Sequence, residues 1–202
     1  MVSKPHVSDT APKRPSRTAE SHALPLDVQR YLEMARRTGG PILELCGELG
    51  CVAIPLARAG YRVVTVDISK GALKRLQANL DRESREVGQR VYVLPDMARL
   101  KLEESAFPLA VMASNALLDI ANFDERQEVL DAIARHLVPG GVLVLDVVNP
   151  IALHAAGGPI FRLEIELMLE SAGLSLASIE GGHQREPYTA RSPQMFVVAT
   201  KQ

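Results

Sequence analysis

Residues 41–69, PILELCGELGCVAIPLARAGYRVVTVDIS, constrain the fold more than any other stretch. Ile42-Leu43-Glu44-Leu45 is an apolar run of strand length. Cys46-Gly47-Glu48-Leu49-Gly50 is a glycine-bearing turn, and Cys51 to Ala59 reads as a helix closed by Gly60. Arg62 to Val66 is a β-branched strand that ends at Asp67. Strand, helix and strand in this order form a βαβ unit, with parallel strands and a right-handed crossover. The turn and the first helix's N-terminus then lie at the carboxyl edge of the sheet, where backbone can approach a ligand. Asp67 follows Gly47 by about 20 residues, the spacing at which a carboxylate can accept from ribose hydroxyls.

The rest of the chain repeats this alternation. Pro25 opens a helix from Leu26 to Thr38, with Leu26, Tyr31, Leu32 and Ala35 as its apolar side. Ser69 caps a helix expected to run from Lys70 to about Glu86. Strands follow at Val91 to Leu94, Phe107 to Ala113 and Val142 to Val148, with a helix from Phe123 to His136. The run at 142–148 is nearly all apolar, as a central strand covered on both faces requires. A helix from Arg162 to Ala172, strands at 174–179 and 195–200, and a loop around Gly181-Gly182 complete the chain.

With 202 residues the chain suits one α/β domain, here residues 24–202. Residues 1–23 are polar, basic and proline-rich, the composition of a disordered tail. A net charge of -1 argues against a nucleic-acid or anionic-membrane partner. No apolar run approaches the length of a membrane span, and the N-terminus lacks a signal-peptide core, so a cytoplasmic location is expected. Cys46 and Cys51 imply neither a disulfide framework nor a metal site.

The stretch ILEL…GYRVVTVDIS resembles motif I and its sequel in class I S-adenosylmethionine-dependent methyltransferases, as does Leu137-Val138-Pro139-Gly140-Gly141 further on. The ending PYTARSPQMFVVATK is similar to that family's C-terminus. The resemblance implies an α/β, Rossmann-like, seven-stranded sheet of order 3-2-1-4-5-7-6, mostly parallel with the last strand antiparallel. It also implies S-adenosylmethionine as cofactor, S-adenosylhomocysteine as product and a small-molecule acceptor. The alternatives within the fold are a cyclase or isomerase, or a non-catalytic pseudo-enzyme.

By the same resemblance the cofactor would meet Glu44, Cys46, Gly47, Gly50, Asp67, Ile68, Asp96, Met97 and Asn115. The base candidates are His183, Tyr188 and Asp119. Two departures stand out. Cys46 and Glu48 occupy positions where the family carries glycine. Few residues follow Pro150 to build the family's lid, so the helix bearing Tyr31, the 181–192 loop or a second subunit is expected to cover the cleft.

Overall fold

The computed structural model describes residues 24–47, 49–95, 106–120, 122–149 and 158–202. The chain runs α1 (Leu26–Thr38), β1 (Ile42–Leu45), α2 (Ala53–Arg58), β2 (Val63–Val66), α3 (Lys70–Leu80), α4 (Arg85–Gly88) and β3 (Val91–Leu94). It continues through β4 (Phe107–Met112), α5 (Ala116–Asp119), α6 (Phe123–His136), β5 (Leu137–Val148), α7 (Gly158–Ser171), β6 (Leu174–Glu180) and β7 (Gln194–Lys201).

The seven strands form one sheet in the order β3-β2-β1-β4-β5-β7-β6, as expected. β1 to β5 are mutually parallel, and β7 runs antiparallel to both β5 and β6. Every residue of β1 and β2 is buried, Glu44 and Thr65 included, which explains why neither strand alternates between apolar and exposed polar residues. Side-chain alternation splits the core across the sheet. Ile42, Val63, Leu109, Val111 and Val144 pack with α1, α2 and α3 on one face. Leu43, Leu45, Met112, Leu143 and Leu145 pack with α5, α6 and α7 on the other. β1 and β4 are neighbours whose chain order diverges, so the carboxyl edge between them is the topological switch point.

Three local readings change. The long helix expected after Ser69 ends at Leu80, and Ser84 starts a separate turn of helix, its hydroxyl accepting from the Val87 amide. A serine that can cap a new helix competes with continuing the old one. β5 begins at Leu137 rather than Val142, because Leu137 pairs with Phe107 before Val138 to Gly141 bulge out. The buried side of α1 is Val28, Tyr31, Leu32, Met34 and Ala35, whereas Leu26 is exposed. α1 is therefore part of the core, packed against β4, β5 and α2, not a cover lying over the sheet edge.

Candidate active site

The turn after β1 is held by the neighbouring strand β2. Cys46 has φ 57° and its amide donates to Val66 O at 2.8 Å. A non-glycine residue in the left-handed region is strained, and this is the position where glycine was expected. Cys46→Gly should therefore raise the unfolding free energy by about 1 kcal/mol, read from urea titration. Gly50, at φ 75°, lies against Leu76 and Ile54 and closes the turn by donating to Gly47 O at 2.6 Å. At Gly47 an added Cβ would sit 1.9 Å from Thr65 Oγ1 and 2.7 Å from Glu44 Oε2, so no larger residue fits there unless something moves.

Glu44 is buried beneath this turn. Its Oε1 accepts from the Ala53 amide at 3.1 Å, which ties β1 to the start of α2. Glu44 Oε2 and the Thr65 hydroxyl are both buried and make no hydrogen bond of standard geometry. Burial pushes the Glu44 carboxyl up to about 7, against the lowering pull of the Thr65 hydroxyl and the Ala53 amide. At the tip of β2, Asp67 Oδ1 accepts from the Ser69 amide at 2.8 Å, which fixes the carboxylate at the edge. Ile68 beside it is 81% exposed, a large apolar side chain presented to the same edge.

Cys46 opens to solvent, yet its thiol is pushed up to about 11, first by desolvation and then by Asp67, Asp119 and Glu44. A thiol held that high is protonated at neutral pH and is no nucleophile. Three carboxylates thus act on one point of the turn. Asp119, at the end of α5, belongs to this cofactor side of the edge.

The turn after β4 holds two consecutive left-handed residues, Ser114 at φ 57° and Asn115 at φ 66°. The Asn115 side chain faces inward: its Oδ1 accepts from the Val148 amide at 2.6 Å. That bond uses its acceptor and leaves its amide NH2 as the group that can meet a ligand. The Ser114 amide donates to Asp146 Oδ1 at 2.6 Å, and the Tyr31 hydroxyl donates to the same oxygen at 2.5 Å. Asp146 is buried, and its carboxyl is raised by that burial, although Tyr31 and His183 pull it down.

His183 lies on this second group. Gln194 donates its side-chain amide to His183 Nδ1 at 2.6 Å, so Nε2 is the nitrogen left to carry the ring proton. Nε2 is buried without a hydrogen-bond partner, 3.8 Å from Asp146 Oδ2. The other edge of the histidine forms one wall of a groove of about 440 Å³ shared with Leu24, Leu26, Arg30, Glu33 and Arg36. Tyr188 sits elsewhere. It packs on the α6–α7 face of the core, with the Arg162 guanidinium 5.9 Å from its ring centre. His183 contacts Tyr31 and Phe196 on the opposite side of the sheet.

The structure thus brings Glu44, Cys46, Gly47, Gly50, Asp67, Ile68 and Asp119 to one edge. It places Asn115 and His183 on the neighbouring group and separates Tyr188 from both. Glu48, Asp96 and Met97 lie outside the described residues. Asp146, Thr65 and Gln194 were not anticipated as site residues. Asp146 could have been found as the one carboxylate inside the apolar run 142–148, since a buried charge needs partners. Among the described residues no group of three His, Cys, Asp or Glu is placed to hold a metal ion.

Known proteins agree with this geometry. A family described as "Methyltransferase domain" matches residues 42–141. The cypemycin N-terminal methyltransferase of a Streptomyces species is 30% identical over 213 aligned positions, covering 81% of this chain and 84% of that one. Among solved structures, the CcbJ methyltransferase of Streptomyces caelestis superposes with a TM-score of 0.77 at 22% identity, over 88% of this chain and 91% of that one. The glycopeptide N-methyltransferase MtfA, solved with sinefungin, gives 0.69 at 18% identity, over 94% and 100%. The structural likeness alone speaks for the fold. Together with the sequence relative, the matching family and the sheet order, it shows that this chain belongs to the class I S-adenosylmethionine-dependent methyltransferases.

Proposed function

We propose that this methyltransferase transfers its methyl group to an amine nitrogen of a small-molecule or peptide acceptor. The observation that carries the reading is the acidic edge itself: Asp67, fixed at the tip of β2, and Asp119, exposed at the end of α5, both act on Cys46 of the β1 turn. Such a field favours cations, and both the sulfonium donor and a protonated amine are cations. The names of two relatives, an N-terminal and a glycopeptide N-methyltransferase, point to nitrogen as well.

The cradle fits the cofactor. Glu44 and Thr65 are buried beneath the turn, and Gly47, where an added Cβ would strike both, keeps the backbone low above them. Asp67 would take the ribose hydroxyls and Ile68 would flank the adenine ring. S-adenosylmethionine, when bound, supplies an electrophilic methyl on a positively charged sulfur. The remaining chemistry is positioning and one proton. An amine attacks only through its free lone pair, so an ammonium acceptor must first lose a proton. Asp119, exposed and on the cofactor side, takes that proton. His183, with both nitrogens turned inward, supports the acceptor side without touching the reacting atoms.

Asp67→Ala should weaken S-adenosylmethionine binding by about 1.5–3 kcal/mol, the range for hydrogen bonds to a charged group, read by calorimetric titration. The acceptor class is tested by incubating the protein with S-adenosylmethionine and a panel of primary amines, secondary amines and peptides with free N-termini. Mass spectrometry should show S-adenosylhomocysteine together with a product methylated at nitrogen. Transfer to hydroxyl or thiol acceptors alone would overturn the amine reading and leave the family assignment standing.

A further inference from the structure

We propose that Tyr31 and His183 are positioning residues for methyl transfer, which together with Asp146 form a buried clamp that holds the left-handed Ser114–Asn115 turn in its working shape. The inference rests on the reading of that turn as part of the reaction centre.

The turn is in a conformation that its residues resist. Two successive non-glycine residues at φ 57° and 66° need outside contacts to stay there. The contacts come from β5. Asp146 Oδ1 takes the Ser114 amide at 2.6 Å, Asp146 O takes the Asn115 amide at 3.1 Å, and the Val148 amide reaches Asn115 Oδ1 at 2.6 Å. Of these three, the first depends on the Asp146 side chain and the third on that of Asn115, and an Asp146 carboxylate that turned away would release the Ser114 amide. Tyr31 prevents that. Its hydroxyl donates to the same Asp146 oxygen from a helix 115 residues away in sequence, and Tyr31 itself is fully buried. A single carboxylate oxygen therefore links α1 to the end of β4.

His183 completes the clamp from the other side. Gln194 fixes its ring through Nδ1, and Phe196 lies edge-on to it with ring centres 5.4 Å apart. The same phenyl ring lies 5.9 Å from Tyr31. Arg30, held by both oxygens of Glu180, covers Phe196 with its guanidinium carbon 5.1 Å from the ring centre. Nε2 is thus aimed at Asp146 Oδ2 across 3.8 Å, beyond hydrogen-bond range. Closure by about 1 Å makes the bond, and catalytic contacts that are long without ligand commonly tighten when the substrate complex forms. Closure also gives a partner to a buried Nε2 that has none in this structure. Both Asp146 oxygens are then held, one from α1 and one from the loop after β6.

The test uses full-length protein and reads the clamp in two ways. Amide hydrogen exchange at Ser114 and Asn115 reports the turn itself, whatever the acceptor. Tyr31→Phe removes one oxygen and keeps the ring, and it should speed exchange at both amides tenfold or more. With an amine acceptor, kcat should fall tenfold or more while the Kd for S-adenosylmethionine stays within twofold. His183→Gln keeps a side-chain donor and should retain most of kcat, whereas His183→Leu should match Tyr31→Phe. The histidine pair lies on the surface loop and serves if Tyr31→Phe does not fold. Unchanged exchange in both Tyr31→Phe and His183→Leu overturns the clamp. Faster exchange with unchanged kcat overturns its positioning role. If the unmodified enzyme methylates no amine, the proposed acceptor falls, and exchange alone then decides whether the clamp exists.

Discussion

A chain that begins at Gly39 is expected not to fold. α1 buries Val28, Tyr31, Leu32 and Met34 almost completely, all at 5% exposure or less. Each such side chain contributes about 1.5–3 kcal/mol on burial, so the four together come to about 6–12 kcal/mol. The whole stability of a domain this size is about 5–15 kcal/mol. Truncation also removes the Tyr31 hydroxyl from Asp146 and Arg30 from Glu180. Asp146 is then a buried carboxylate with one donor fewer, and Glu180 loses a bidentate partner. Those losses add to the apolar term with the same sign. Far-ultraviolet circular dichroism and urea titration of the truncated chain should show no cooperative transition. A transition like that of the intact protein would restore α1 to the role of a detachable cover.

The packing of α1 marks where the sequence misleads. The helix itself is plain from Pro25, its apolar spacing and Gly39, but spacing alone does not say which layer a helix joins. Val28 and Met34 face the core and Leu26 faces solvent, whereas the spacing read from the sequence put Leu26 on the apolar side. The sheet was far more legible. β1, β2 and residues 143–147 of β5 are covered on both faces, so burial writes itself as runs of Val, Leu and Ile broken only by Glu44, Thr65 and Asp146. The strand order came from family resemblance, because pairing across the sheet leaves no mark in local pattern.

The site divides in the same way. Glycines, the acidic strand tip and Ile68 are local features of one βαβ unit, and the fold carries them together to one edge of the sheet. The Tyr31–Asp146–His183 group is assembled from three distant segments, and no spacing rule reaches across them. His183 was legible as a polar residue near the edge, yet the direction of its nitrogens is set by Gln194 and Phe196 on another strand. Tyr188 and His183 are close in sequence, but the Glu180–Pro187 bridge lets the loop carry them to opposite faces of the sheet.

Glu44→Gln is expected to become progressively more stabilising, relative to the native protein, as pH rises from 5 to 8. Burial lifts the Glu44 carboxyl from 4.5 to about 7, so the folded state binds its proton more tightly than the unfolded chain does. For an acid raised on folding, stability is fully present below the unfolded value and is lost as pH rises through the folded one. At about 1.36 kcal/mol per unit, the loss between pH 4.5 and 7 is about 3 kcal/mol. Glutamine does not titrate. Its side-chain oxygen can still accept from the Ala53 amide, and its NH2 can donate to the Thr65 hydroxyl beside it. Asp146 is raised as well, but it is present in both proteins and cancels in the comparison. Urea unfolding at pH 5 and pH 8 should therefore give a difference between the two proteins that changes by about 3 kcal/mol across the range. The cost has a function at the β1 turn. An ionised Glu44 adds negative charge where a sulfonium cofactor is proposed to bind, so the native protein should bind S-adenosylmethionine more tightly at pH 8 than at pH 6 and release protons on binding. The glutamine protein should lose that dependence. A stability difference that stays flat from pH 5 to 8 would mean that Glu44 is already ionised throughout, and the proton release would be absent with it.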